Sequence, residues 1–245
     1  MTTNHSSTAS VLGSEPPAPS RRLGVVLSLV LVGLVSAFLT WTLPRSSANA
    51  AQPVALTHSH MVVPRTAAQQ AFHDQMRKLW EDHVTWTRLA IVTFADGSAG
   101  FPATATRLLQ NQADIGNAIV PFYGTAAGTR LTALLHDHIT IAVEILQAAK
   151  AGDTAAFADA KQRWYANAND IADFLAKANP KFWPDSVMRD DMRVHLDQTL
   201  TEAAHELAGD YTASVTDYEA VHAHILQMAD MLSSGIIGAF PSAFH

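Results

Sequence analysis

Apolar residues recur at steps of three and four positions from about residue 67 onward, and strand-like alternation of apolar and polar residues is absent. This spacing puts apolar side chains on one face of a helix, so it predicts an all-α fold. Segments rich in Gly, Pro, Asn and Asp interrupt the pattern and divide it into six helices. The predicted ranges are 67–96, 102–121, 127–150, 154–178, 184–208 and 211–235. One bent, continuous helix is the alternative for the last two.

The six predicted helices group into three hairpins with related sequences. The block Ile171-Ala-Asp-Phe-Leu is similar to Met228-Ala-Asp-Met-Leu, and each follows a Gly-Asp pair at the same distance. In each hairpin, a histidine on the first helix precedes an Asn or His on the second by 28 or 29 residues. The pairs are His83 with Asn111, His138 with Asn167, and His195 with His224. Three related helical hairpins are therefore expected to form one helical bundle.

A different pattern marks the N-terminus, where an uncharged apolar run follows Arg21 and Arg22 and ends at residue 43. A helix of this length reaches about 30 Å, the thickness of a bilayer core. The two arginines favour a cytoplasmic N-terminus. We predict one of two roles for this run. It is either a single membrane span, through which the chain contacts the membrane, or a signal peptide cleaved after the A-x-A at Ala48 and Ala50.

Both alternatives give the same division of the chain. Residues 1–20 are rich in Ser, Thr and Pro and are predicted to be a disordered cytoplasmic segment. Residues 21–43 form the transmembrane or signal helix, and residues 44–66 form a linker. Residues 67–240 form an extracytoplasmic helical-bundle domain, which is anchored at the cell membrane if the span is kept and secreted if cleavage occurs.

Composition excludes several classes of function. The formal net charge is −6 and the 16 Lys and Arg residues are scattered, so a nucleic-acid partner is not expected. The chain has no cysteine, which excludes disulfides, thiolate metal sites and thiol catalysis. Gly-rich phosphate loops and nucleophile elbows are also missing from the sequence, so no catalytic residues are predicted.

The residues with the most chemical interest are polar side chains that share helix faces with apolar ones. Histidines and carboxylates on facing helices of a bundle are typical ligands of copper, zinc or iron. The candidate metal ligands are His83, His138, His195, His222, His224, Asp114 and Asp170. The candidate polar partners in the core are Asn111, Asn167 and Glu202. The sequence thus predicts an interior His/Asn/Asp cluster that binds a transition metal.

Other interpretations of the same residues remain open. The polar groups can form a hydrogen-bonded core without a cofactor, in a structural or interaction module of the cell envelope. They can also bind another small ligand or belong to a metal-dependent enzyme. Met188 and Met192 precede His195 by seven and three residues, and this soft ligand set suits Cu(I). Methionine on an apolar face is more commonly a filler of the core.

Several stretches resemble a bacterial family of exported, single-anchor helical proteins of uncharacterised function. They are KLWEDHVTWTRLAIV, RLLQNQADIGNAI, LTALLHDHI, RWYANANDIADFL and VHAHILQMADML, within residues 70–241. Some members are labelled glycosyltransferases. The D-x-D motif common in those enzymes is absent from this sequence. The resemblance implies export and a helical fold, and it brings no catalytic residues.

Overall fold

The computed structural model describes residues 61–244. This part of the chain contains six α-helices and no strand, which confirms the predicted all-α class. The helices are α1 Ala67–Ala95, α2 Phe101–Tyr123, α3 Thr125–Ala151, α4 Thr154–Ala178, α5 Asp185–Ala208 and α6 Tyr211–Ala239. A short 3₁₀ turn, Pro241–Ala243, follows. The predicted segments 1–20 and 21–43, and the linker up to residue 60, lie outside the described residues.

The helices form a closed bundle. Each helix packs against the next one along the chain, and α6 returns to pack against α1. The connecting segments span one to six residues, so consecutive helices run antiparallel. Helix α1 also contacts α3 and α5. The three odd-numbered helices therefore meet in the interior, and these are the helices that carry His83, His138 and His195.

Side-chain caps and glycines set most helix boundaries where the sequence predicts them. The Thr66 side chain accepts a hydrogen bond from the Gln69 amide at 3.1 Å and so caps α1. Asp153 and Asp210 cap α4 and α6 in the same way. Gly209 ends α5 in a left-handed conformation, with φ of 77°. Because this conformation is costly for other residues, the chain turns there, and the continuous α5–α6 alternative is wrong.

Two helices extend further than the sequence predicts. Helix α2 continues past Pro121 to Tyr123, since a proline near a helix end removes only one backbone hydrogen bond. Phe122 in that last turn packs edge-on against Phe72, with ring centres 5.0 Å apart. Helix α6 continues to Ala239 with Ile236 and Ile237 fully buried in the main apolar core. Tertiary packing, which local sequence patterns do not report, stabilises both ends.

None of the helices described between residues 61 and 244 is both long enough and apolar enough to cross a bilayer. The predicted span at residues 21–43 is not among them.

Replacing Gly116 with alanine is expected to destabilise the protein by about 1–3 kcal/mol, the usual range for overpacking. Helices α2 and α3 touch where Gly116 faces Gly128, and a Cβ on Gly116 would lie 2.7 Å from the Gly128 carbonyl oxygen. Because the contact is with a backbone atom, it can be relieved only if helices α2 and α3 move apart. Urea denaturation of the full-length variant measures the loss.

The matched control is Gly100→Ala, at a position where an added Cβ meets only the Ser98 hydroxyl at 3.4 Å. Its stability should stay within about 0.5 kcal/mol of the unsubstituted protein, as is usual for surface positions. Equal stability of the two variants would contradict close contact between α2 and α3.

Candidate functional site in the bundle interior

Three histidines from the three odd-numbered helices lie in one layer of the interior. His83 comes from α1, His138 from α3 and His195 from α5, and each is at most 4% exposed. The ring centre of His195 lies 5.7 Å from that of His83 and 6.3 Å from that of His138. The predicted interior position of these three side chains agrees with the structure. We call them the histidine layer.

Asn167 fixes the orientation and tautomer of His138. The Asn167 side-chain amide donates to the Leu134 carbonyl at 3.0 Å, so its oxygen faces the ring. That oxygen is 2.9 Å from His138 Nδ1, which must therefore donate. Trp164 stacks on the ring and donates its indole N–H to the His138 carbonyl. The neutral ring consequently has a bare nitrogen, Nε2, with a free lone pair.

His83 has the opposite tautomer. The side-chain amide of Gln112 donates a hydrogen bond to the Leu108 carbonyl oxygen at 2.7 Å, and the same amide nitrogen lies 3.3 Å from His83 Nδ1. The ring nitrogen therefore accepts, and the proton of the neutral ring lies on Nε2. The hairpin repeat predicts Asn111 as the partner of His83, but the Asn111 side chain instead donates to the Leu79 carbonyl at 3.0 Å. Its neighbour Gln112 is the residue that contacts the ring.

His195 is the least satisfied of the three. Its Nδ1 is buried and has no hydrogen-bond partner in the described part of the chain. His224 on α6 lies nearby and donates Nε2–H to the Asp191 carbonyl at 3.0 Å. Asp191, one turn before His195 on α5, is itself buried, and its Oδ2 also has no partner there. His195 and Asp191 thus lie one turn apart on α5, each with a buried polar atom that has no partner among the described residues.

The interior keeps the histidine layer uncharged. Burial, together with the charge that His138 would carry, lowers the pKa of His83 to about 3. Burial also lowers the pKa of His138 to about 4, against the opposing effect of its hydrogen bond to Asn167. Burial lowers the pKa of His195 well below the ordinary value of 6.5. All three rings are therefore neutral at pH 7, which is the form that binds metal ions.

The structure places three of the predicted metal ligands outside the layer. His222 is partly exposed and lies 3.0 Å from the Glu81 carboxylate between α6 and α1. Asp114 faces Arg107 at 3.6 Å on α2. Asp170 is exposed on α4. These side chains are at the surface, whereas His83, His138 and His195 are enclosed.

Glu202, predicted as a polar partner in the core, belongs to a separate buried cluster. Its carboxylate lies 3.2 Å from Arg88, whose guanidinium also contacts Glu206 at 3.0 Å. Ser214 donates to Glu206 at 2.6 Å and accepts from Arg88. Burial raises the pKa of Glu202 to about 7 although Arg88 opposes the change. We call these four residues the Arg88 cluster.

No three His, Asp or Glu side chains among residues 61–244 are placed so that they could hold a metal ion together. Met188, Met192 and Met228 are buried in the main apolar core. Beside the histidine layer, an apolar cavity of about 50 Å³ includes Thr87, Thr199 and Trp164 in its wall. This cavity is far smaller than the roughly 300–1,000 Å³ of ordinary ligand pockets, so it does not suit a sizeable organic ligand.

Six residues of these interior groups have no role predicted from the sequence: Gln112, Trp164, Asp191, Arg88, Glu206 and Ser214. Two of them carry a helical signal that could have been used. Asp191 lies one turn before His195 on the same helix face, and Gln112 follows Asn111 at the repeated position. Arg88 and Trp164 have no such signal, because their partners lie on helices that are distant in the sequence.

Comparison of the chain with protein-family models, with curated proteins and with solved structures finds no match. Function must therefore be inferred from the interior groups themselves.

Proposed function

We propose that this protein is a non-enzymatic, extracytoplasmic helical-bundle protein whose interior histidines bind one transition-metal ion. The observation that carries the proposal is His195, a neutral buried imidazole whose Nδ1 has no partner in the described part of the chain. A buried polar atom without a partner costs about 1–3 kcal/mol, and a bound ion would offset that cost. Copper, zinc and iron are the metals that imidazole suits.

The spacing of the rings supports a shared ion. A zinc–nitrogen bond is about 2.1 Å long and the nitrogen lies about 1.1 Å from the ring centre, so two imidazoles on a tetrahedral ion have centres about 5.2 Å apart. His138 and His195 have ring centres 6.3 Å apart. The ring planes are inclined at 24°, so the two rings would have to approach by about 1 Å and turn so that one nitrogen of each faces the ion.

The surroundings of His138 also support metal binding. Ligand histidines usually donate their second ring N–H to an oxygen, which fixes the ring and raises its basicity. His138 donates Nδ1–H to Asn167 in this way, and its Nε2 keeps a free lone pair. The ring is thus oriented before any ion arrives.

We expect the full-length chain, stripped of metal and then equilibrated with zinc, to retain about one ion after gel filtration and to melt several degrees higher. The variants His138→Gln and His195→Gln should each lose that retention, because each removes an imidazole ligand. His222→Gln is the matched control, since His222 pairs with Glu81 at the surface. Elemental analysis and thermal melting, with circular dichroism to confirm the fold, provide the measurements.

Two outcomes would contradict the proposal. One is a stripped protein whose melting ignores zinc, copper, iron and EDTA alike. The other is a retained ion that survives both interior substitutions and is lost with His222→Gln, which would place it at the surface.

A cofactor-free module of the cell envelope is the second candidate function. It is favoured by the amide contacts of the histidine layer, since Gln112 donates to His83 and Asn167 accepts from His138. A polar layer of this kind can fix the register of packed helices. Melting that is indifferent to metals would select this candidate.

The export, the hairpin repeat and the family resemblance are parts of the same proposal. The apolar run at residues 21–43 supports a membrane anchor or a signal peptide. The recurrence of a histidine on α1, α3 and α5 supports three related hairpins, and the five resembling stretches support membership of the exported family. Protease treatment of intact cells distinguishes the locations, because an anchored outer domain is digested and a cytoplasmic one is protected.

A further inference from the structure

The apolar cavity of about 50 Å³ lies one helical turn beyond the histidine layer. Each odd-numbered helix contributes to its wall the residue four positions after its histidine. These residues are Thr87, Ala142 and Thr199, and all three are small. Residues four positions apart lie on the same face of a helix. The three helices that bring the histidines together therefore leave space in the next layer that their side chains do not fill.

Two separate clusters of buried apolar side chains border this cavity. One cluster comprises Ala90, Leu108 and Ile139, and the other comprises Ile91, Leu146 and Ala203. All six side chains line the cavity, and neither cluster belongs to the main apolar core. The cavity thus interrupts apolar packing that is continuous elsewhere in the bundle.

Three groups in the wall carry a proton that could hold a water molecule, and all three are engaged. They are the hydroxyls of Thr87 and Thr199 and the indole N–H of Trp164. Each donates to the backbone carbonyl of one member of the histidine layer, at 2.8, 2.8 and 3.0 Å respectively. A buried water typically makes about three hydrogen bonds, and apolar cavities that cannot supply them stay dry. The wall therefore favours an apolar occupant over water.

We propose that this cavity is a binding site for one uncharged apolar molecule of about two to four heavy atoms, such as dioxygen or a short hydrocarbon, since each water-sized group needs about 10–15 Å³ of such space. Dry cavities in protein interiors bind apolar atoms and molecules that fit them. Every side chain in the wall is buried or half-buried, so an occupant would be enclosed. The inference goes beyond metal binding and is independent of it, because none of the described residues in the wall is a histidine.

The test uses xenon, a single apolar atom, as the first probe of the full-length, metal-stripped chain. Xenon is expected to shift the methyl resonances of Ile91 and Leu146, which lie in the wall, and to saturate at one atom per chain. Dissolved dioxygen is paramagnetic and should broaden the same resonances, and propane should compete with xenon. Benzene should leave them unchanged, because its six-carbon ring exceeds the space.

Ala142→Val fills the cavity from its wall and should lower xenon affinity at least about tenfold, the smallest usual effect of one carbon in an apolar pocket. Ala133→Val is the matched control, since it places the same side chain at an exposed position of the same helix and should leave xenon affinity unchanged. Filling a cavity commonly stabilises a protein, so Ala142→Val should melt no lower than Ala133→Val. Loss of binding without loss of stability excludes misfolding as the cause.

Thr199→Val tests whether the cavity is dry. Valine has nearly the shape of threonine and lacks the hydroxyl. Because that hydroxyl already donates to the His195 carbonyl, its removal should leave xenon affinity unchanged. Stronger xenon binding in Thr199→Val would show that the hydroxyl holds a competing water, and it would overturn the proposal of an apolar site.

Two further outcomes would contradict the inference. One is a set of Ile91 and Leu146 resonances that ignore xenon, dioxygen and propane alike. The other is xenon binding that survives Ala142→Val, which would place the atom elsewhere. Failure of the protein to bind zinc would leave both results unaffected, so this inference and the proposed function can fail separately.

Discussion

Arg88→Met is expected to lower the free energy of unfolding by about 3–5 kcal/mol at pH 8, the cost of leaving buried charges without their partner. Arg88 is the cation that faces both Glu202 at 3.2 Å and Glu206 at 3.0 Å, and both glutamates are at most 4% exposed. Methionine has a similar length and fills the space without a charge. Urea denaturation of the full-length variant at pH 8 measures the loss.

The same change should cost less at pH 5, because Glu202, whose pKa burial raises to about 7, can then take up a proton and lose its charge. The double replacement Glu202→Gln/Glu206→Gln should restore most of the stability of Arg88→Met at pH 8. Arg163→Met is the control, since Arg163 pairs with the exposed Glu144 and Asp159 and should cost less than about 1 kcal/mol. A loss that is the same for Arg88→Met and Arg163→Met would contradict a buried charge cluster.

Between pH 7 and pH 4, the free energy of unfolding of metal-free His138→Gln is expected to fall by about 3 kcal/mol less than that of the unsubstituted protein. Burial lowers the pKa of His138 from 6.5 to about 4 in the folded state. As the pH falls below 6.5, the unfolded chain takes up a proton at His138 while the folded protein does not. Stability contributed by the neutral ring is therefore complete above pH 6.5 and falls until about pH 4.

Glutamine preserves a polar amide beside Asn167 and has no charge at any pH in this range. Urea denaturation of both proteins at pH 7 and pH 4 gives the difference directly. His136→Gln, at an exposed position of the same helix, is the control and should leave the pH dependence of stability unchanged. Equal acid sensitivity of His138→Gln and the unsubstituted protein would show that His138 is charged in the fold.

Two buried carboxyls oppose the histidines in the whole protein. Burial raises the pKa of Asp191 to about 6 and that of Glu202 to about 7. Each takes up its proton more readily in the folded state, so each adds stability as the pH falls from 7 toward 4.5. The two buried carboxyls should therefore offset part of the loss from the histidines down to about pH 4.5, and no longer below it, where these carboxyls are protonated in the unfolded chain as well.

The helices could be predicted from the sequence because their determinants are local. Apolar spacing, the caps Thr66, Asp153 and Asp210, and the left-handed Gly209 act within a few residues of each boundary. The ends of α2 and α6 escaped prediction because they depend on distant contacts, such as the packing of Phe122 on Phe72. Local sequence patterns cannot predict those contacts.

For the interior groups, the helical spacing of apolar residues is enough to show which polar side chains share a face with apolar ones, and hence that His83, His138 and His195 are buried. Their hydrogen-bond partners follow from the packing of the helices and could not be read from that spacing. Gln112 rather than Asn111 contacts His83, and Glu202 pairs with Arg88. The physical reason is that burial follows from the periodicity of one helix, whereas a partner depends on how two helices are rotated and shifted against each other.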